Sequence, residues 1–297
     1  MKRWYYAIFA VLSVLSAQAE VWTMRMPDTY VLPSFAEATY ISRMGERHGG
    51  SHLGMQEYTL NVPFNDPRKS HLYDWAYSLQ ASTTVTLLDV GGNFDLRKDE
   101  LLTFSVPMTF IRPYRSGNKL MCVVMPRYSG DAVHSAHSWD VAMVADYTIK
   151  HSDTLSYSIG VAGSLRFVDH VFVPYFSFDW QATPEWQLRC RGYRLAALYS
   201  VTDRLRLGPA LNGEGGAWMV DTPEGQRVLR VRSLATSLLA EYDFSAHGQT
   251  KRIIAASVGM TLATRAEICR RNGGKDRIEA HHYKPGVVAS LGVDFRF

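Results

Sequence analysis

Arginine alternates with apolar residues in two short stretches. Arg189 and Arg191 interleave with Leu188 and Cys190, and Arg204 and Arg206 interleave with Leu205 and Leu207. An extended chain has a side-chain period of two, so each arginine pair shares one face and its apolar neighbours take the other. Arg166 ends a small-residue face made of Ser156, Ser158, Gly160, Ala162 and Ser164. Rows of guanidinium groups inside a pore attract anions and select for them. The same rows can instead pair with Asp140, Asp146, Asp179, Glu241 and Asp243 and brace a narrow interior. Both outcomes are open at this level.

Other chemistry-bearing groups read more plainly. Asp131, His134, Ser135, His137, Ser138 and Asp140 offer a nucleophile, a base and an orienting carboxylate within ten residues. Catalytic triads are assembled from separate elements, so a cluster of sequence neighbours reads as a solvated polar loop, and no catalytic residue is assigned. His48 with His52, and His281 with His282, lack acidic or Cys partners at ligand spacing, so no metal or other cofactor is expected. Gly213, Gly215 and Gly216 have no strand-loop-helix context for phosphate binding and read as a turn or a kink in a sheet wall. Cys122, Cys190 and Cys269 make an odd count, compatible with one disulfide plus a thiol or with three unpaired thiols.

The elements that must position these groups are strands. Val287, Ala289, Leu291, Val293, Phe295 and Phe297 form one apolar stripe, opposite Val288, Ser290, Gly292, Asp294 and Arg296. A final strand of this kind reads as the closing strand of a bacterial outer-membrane barrel, with Phe295 and Phe297 as the signal read by the barrel-assembly machinery. The body alternates in the same way. Trp75 to Leu87 on odd positions, Leu102 to Phe110 on even ones, Met121 with Val123 and Met125, Trp139 to Ile149 and Leu155 to Phe167 each make an apolar face. Further strands are predicted near 171–182, 185–192, 194–202, 205–220, 227–244 and 251–263, separated by turns such as Thr183-Pro184-Glu185 and Thr202-Asp203. The predicted fold is an all-β transmembrane antiparallel barrel of about twelve strands, within ten to fourteen. Short turns near 113–118, 150–154, 183–185 and 246–250 belong on the periplasmic side, and the longer 129–138 and 264–285 outside.

Lys2 and Arg3 precede an apolar run from Tyr5 to Leu15, and Ala17-Gln18-Ala19 is a small-x-small site, so residues 1–19 read as a signal peptide cut between Ala19 and Glu20. Residues 20–53 read as an irregular periplasmic or lumenal segment, and 54–297 as the barrel. Losing Lys2 and Arg3 lowers the formal net charge from +4 to +2, a balance that argues against a nucleic-acid partner. A mean hydropathy of -0.14 suits a barrel, which needs apolar residues at only every second strand position. Seven Trp and sixteen Tyr can supply the aromatic girdles at the two membrane interfaces.

Within this frame, Leu120-Met121 leading to Pro126 and Asp131, then Val173-Pro174-Tyr175 with Trp180, Pro184-Glu185-Trp186 and Tyr199 to Leu207 resemble a family of outer-membrane barrels catalogued as a domain of unknown function. The resemblance covers roughly residues 55–297 and implies a barrel and an outer-membrane address, with no activity attached. Three functions follow as expectations. The first is a passive, porin-like channel with an Arg-rich lumen. The second is a non-conducting structural or surface-interaction barrel. The third, with less behind it, is a membrane-embedded hydrolase. The expected surroundings are outer-membrane lipid and lipopolysaccharide; the sequence does not specify an oligomeric state.

Overall fold

The computed structural model describes residues 33–296 except 67–68, 92–95, 97, 132–137, 166–169, 193, 246–250 and 271–276. The signal peptide with its Ala19–Glu20 cleavage site, Arg166, Phe297 and the histidines and serine at 134, 135 and 137 lie outside the described residues. The strands are β1 (Pro33–Gly45), β2 (His52–Pro63), β3 (His71–Leu72), β4 (Trp75–Gly91), β5 (Glu100–Ser105) and β6 (Met108–Pro113). There follow β7 (Lys119–Gly130), β8 (Trp139–Lys150), β9 (Leu155–Leu165), β10 (His170–Gln181), β11 (Trp186–Arg191) and β12 (Arg194–Ser200). The last are β13 (Leu205–Thr222), β14 (Gly225–Asp243), β15 (Lys251–Cys269), β16 (Arg277–Tyr283) and β17 (Val287–Arg296).

All seventeen belong to one sheet, and β17 pairs antiparallel with β1, which closes the ring. The segments β5 and β6 share the place between β4 and β7, while β16 and β17 share the place beside β15. With β3 a two-residue stub on β4, fourteen staves remain around the ring, against the twelve expected. The difference has two sources. Residues 33–45, expected to be irregular, form β1, and the short β11 and β12 stay separate staves. Without β1, the facing edges of β2 and β17 would expose unpaired backbone groups.

The pleat sorts side chains as alternation demands. Tyr58, Leu60 and Val62, then Tyr147, Ile159, Val161, Phe172, Leu238, Val258 and Leu291 are exposed on the outer face. Ser78, Gln80, Thr84 and Thr86 on β4, with Glu57 and Asn61 on β2, are buried on the inner one. On β7 the expected parity is reversed: Met121, Val123 and Met125 point inward, opposite Asp146, Val144 and Ala142. Both faces of β7 are apolar, since Leu120, Cys122 and Val124 alternate with them, so periodicity cannot choose. The choice falls to Arg127, whose guanidinium must reach Asp140 inside.

Turns at one end carry a recurring local device. Ser152, Thr183 and Thr202 each accept backbone N–H bonds two and three residues on, at 3.0–3.3 Å. A hydroxyl that satisfies two N–H groups makes a tight reversal without a helix. These turns share an end of the barrel with the chain's first and last strand ends. The other end is built by longer strands. Residues 264–269 and 277–283, expected within one long loop, extend β15 and form β16.

At that end the wall bends inward. The strand β13 leaves β12 after Asn212 opposite Arg194, passes Gly215 at φ +135°, and meets β7 in a parallel bridge between Met219 and Gly130. Only glycine suits position 215, because the φ is left-handed and a Cβ would lie 2.1 Å from the Val231 carbonyl oxygen. The bent hairpin brings Trp218, Leu229 and Ile268 into one buried cluster with Ile41, Leu53 and Leu101 from the opposite wall. This packs the upper interior like two facing sheets.

Candidate functional site

On the lower wall from β10 to β14 the inner face is polar, while the inner face of β7 to β9 at that depth carries the apolar cluster of Met121, Val123 and Met125. Arg189 lies across from Ala196, Ala196 from Ala210, and Ala210 from Ser237, so these residues share the inner face. Small side chains at the middle positions leave a trough over which long ones can reach. Through it Arg189 crosses β12 and β13 to bond Glu241, whose second oxygen lies 3.2 Å from Arg206. Glu241 thus sits between two guanidiniums, with 6% of its side chain exposed. A carboxylate so deeply enclosed requires that charge complement.

The network continues along the wall. Arg206 donates to the Gln187 side-chain oxygen at 2.7 Å, and the Gln187 amide donates to Asp179 at 2.6 Å. The other Asp179 oxygen accepts from Arg191 at 3.0 Å. Arg191 is directly opposite Arg194 across the two-residue turn that holds Gly192 at φ +55°. Arg194 does not rest on this wall. It reaches Glu37 of β1 at 3.0 Å, although four staves separate β12 from β1 by the shorter way round. That contact is a strut across the lumen. A second buried pair stands on the facing wall, where Arg127 grips Asp140 through two bonds of 2.9 and 2.5 Å.

Of the arginines singled out in the sequence, Arg189, Arg191 and Arg206 stand on this inner face. Arg204 does not: it sits exposed in the turn before β13, one residue short of the strand, where the pleat no longer sets its direction. Sequence reasoning missed Arg194, Glu37 and Gln187. The alternation of Arg194 with Ala196 and Leu198 was a usable signal for the first, whereas Glu37 lay in the stretch taken as irregular. Among the expected brace partners, Asp146 accepts from Thr148 at 3.3 Å and Asp243 from Ser245 at 3.0 Å.

Two acids of the 131–140 cluster have partners elsewhere, and His134, Ser135 and His137 lie outside the described residues. Asp140 is committed to Arg127, and Asp131 uses a carboxylate oxygen to accept the Asp221 N–H at 2.7 Å, anchoring the bent β13. His281 is buried between Glu46 at 2.7 Å and Glu279 at 2.8 Å, while His282 is exposed on the opposite face. His52 contacts Arg43 and Asp89. Among the described residues, no group of three or more His, Cys, Asp or Glu is arranged to hold a metal ion. Cys122, Cys190 and Cys269 are not joined in disulfides.

A family model matches residues 15–296, nearly the whole ring and its closing strand. The chain belongs to the family described as "Domain of unknown function (DUF6268)". No curated protein matches it. Among solved structures it is similar to the COG4313 outer membrane channel from Pseudomonas putida F1, at 13% identity, TM-score 0.46, and coverage of 92% of this chain and 97% of that one. It is also similar to a TodX monoaromatic hydrocarbon channel mutant, at 8% identity, TM-score 0.31 and 89% of each chain. A third is the translocator domain of the autotransporter NalP from Neisseria meningitidis, at 11% identity, TM-score 0.32, 98% of this chain and 96% of that one.

Proposed function

We propose that the chain is exported by a cleaved signal peptide and forms an outer-membrane barrel of fourteen staves. It works there as a passive channel, held shut in this state by struts of paired charge. The observation that carries this reading is the Arg194–Glu37 strut, continuous around the lumen with Arg191–Asp179 and with Arg189 and Arg206 on Glu241. A barrel of more than eight strands has more interior than wall side chains readily fill, so bridging it with hydrogen-bonded charges leaves a route that small rearrangements open. Four arginines here face three carboxylates, Glu37, Asp179 and Glu241, so anion selectivity is weak while the pairs hold. The runner-up is a non-conducting structural barrel, favoured by the packed cluster around Trp218.

Planar-bilayer recording of the purified barrel separates them. For a gated channel, wild type shows rare, small steps, and replacing Arg189, Arg191, Arg194 and Arg206 by Gln gives frequent openings. Silence in both proteins, with a lowered unfolding temperature in the variant, would establish the structural reading. Membrane assembly has its own check. Deleting Phe297 should lower outer-membrane yield and leave protease-sensitive chain in the periplasm, because Phe297 continues the apolar alternation of Val287 to Phe295.

A further inference from the structure

The wall has a break in its upper half. The ladder between β10 and β11 ends at Phe178–Cys190, while β10 continues up to His170. On the far side the ladder between β12 and β13 ends at Arg194–Asn212, and β13 continues to Thr222. The β11–β12 hairpin therefore fills only the lower part of the space between β10 and β13. Above its tip β13 turns inward to Gly130 of β7, and no ladder joins it to β10 among the described residues. Three strand steps of about 4.8 Å make the break about 14 Å across at the hairpin tip.

The backbone of β10 suits an edge at this place. The Gln181 N–H bonds the Thr154 carbonyl oxygen on the β9 side, and the next N–H, of Ala182, bonds Trp186 on the β11 side. The register with β9 is unbroken up to His170, so even-numbered N–H positions of β10 face the break. Pro174 is one of them. A proline inside a closed wall costs a ladder bond, but at an edge in lipid it removes a donor that nothing there would satisfy. Behind this edge runs an apolar row: Val173, Ala162, Val144 and Val123 stand directly across from one another on β10, β9, β8 and β7, on the inner face. Met121 and Met125 flank the row in the same cluster. Tyr175 stands buried at the threshold, and a Cβ at Gly192 in the hairpin tip would lie 3.8 Å from its ring. Outside, the exposed Phe172, Val161 and Ile159 carry the apolar belt up to the break.

We propose that the break is a lateral window, through which a small uncharged apolar solute passes between the membrane and the barrel interior along the Val173–Val123 row. The proposal rests on the reading of the chain as a passive outer-membrane channel and names the class of its solute. Branched aliphatic and thioether side chains give such a solute close contact and offer a charged one nothing to replace its water. A molecule dissolved in the membrane reaches the row sideways without returning to water, which is the costly step for an apolar solute.

The test uses the full-length barrel in phospholipid vesicles with trifluoromethyl-phenyl-diazirine as the probe. This uncharged aryl compound dissolves in the bilayer and, on illumination, inserts into neighbouring side chains, which peptide mass spectrometry locates. In wild type the label is found on the inward Val144, Val123 and Met125 as well as on the outward Phe172 and Val161. Excess naphthalene removes the inward label, and naphthalene sulfonate does not. Ala162→Phe fills the row, losing the label on Val123 beyond it and keeping the outward label. Val173→Phe, at a partly buried edge position, gives the same loss and covers the case in which Ala162→Phe fails to fold. Folded wild type labelled only on outward residues overturns the proposal, as does an inward label that neither variant reduces or that the sulfonate removes equally. Label on Ile41 and Leu53 equal to that on Val144 would mark general penetration of the barrel and overturns it too. Planar-bilayer recording tests the underlying reading separately: silence of both wild type and the four-arginine variant removes the channel, whatever the diazirine labels.

Discussion

The lower interior along β10 to β14 and the upper interior of this barrel are filled by opposite means. Below, Arg189, Arg206 and Glu241 meet through directional bonds over a floor of Ala196, Ala210 and Ser237. Above, Trp218, Leu229 and Ile268 pack on Ile41, Leu53 and Leu101, with the Trp218 indole N–H bonded to Thr103 at 3.2 Å. Both sets occupy inner-face positions, and β13 and β14 run through both levels. Across the lower β10–β14 wall the staves stay on the perimeter, so the contacts between distant strands there are made by long charged side chains, while β7 to β9 pack Met121, Val123 and Met125 among themselves. The upper wall folds inward at Gly215, the two sides come within apolar contact, and water-excluding packing takes over. The curvature of the wall, more than the composition of any strand, sets which chemistry fills the space.

The apolar half should break most severely. Trp218→Ala removes the largest fully buried side chain among the described residues and is expected to cost about 3–5 kcal/mol of the stability of the cap formed by the bent β13–β14 hairpin. Limited proteolysis within 213–230 and bilayer recording would read it as faster cleavage and more frequent openings. An uncleaved, silent variant would mean the cap does not depend on packing.

The polar half should respond through its partners. Arg189→Gln takes one guanidinium away from Glu241 and is expected to destabilise by about 2 kcal/mol in urea unfolding. Adding Glu241→Gln removes the carboxylate that lost it and should recover part of that loss, as a double-mutant cycle would show. Additive losses would mean the two side chains do not act on each other.

A smaller effect is expected at the strut. The side chains of Arg194 and Glu37 are 31% and 22% exposed, so Glu37→Gln should lower the unfolding free energy by only about 0.5 kcal/mol. Its signature is conductance: open time should rise well beyond what that stability change would suggest. A variant indistinguishable from wild type in the bilayer would demote the strut to a passive contact.

The smallest effect is local. Bonds from Ser51 and then His281 hold the Glu46 carboxyl below its ordinary range. A lowered carboxylate contributes stability above its unfolded pKa and loses it as pH falls through the folded value. Hydrogen exchange in 46–52 should therefore be slow at neutral pH and accelerate on acidification below the ordinary carboxylate range, without global unfolding. Glu46→Gln should exchange fast at both pH values.

Alternation and turn chemistry placed much of this molecule without its fold. The predicted strands at 171–182, 185–192, 194–202, 205–220 and 227–244 match β10 to β14 within a few residues, because each is bounded by a turn whose bonds are local. The short turns near 113–118, 150–154 and 183–185 fall together at the end that holds the chain's first and last strand ends, as chain reversal requires. The arginine faces at 189, 191 and 206 were legible for the same reason: a period of two needs no distant partner. What sequence could not reach was decided by contacts far apart in the chain. Glu37 and Arg194 are 157 residues apart, and their meeting depends on ring closure through β1 and β17. The inward parity of Met121, Val123 and Met125 needed Asp140 across the strand pair, since both faces of β7 are equally apolar. The cap needed the bend at Gly215, which turns inner faces that look alike in sequence into one wall bridged by charge and another closed by packing.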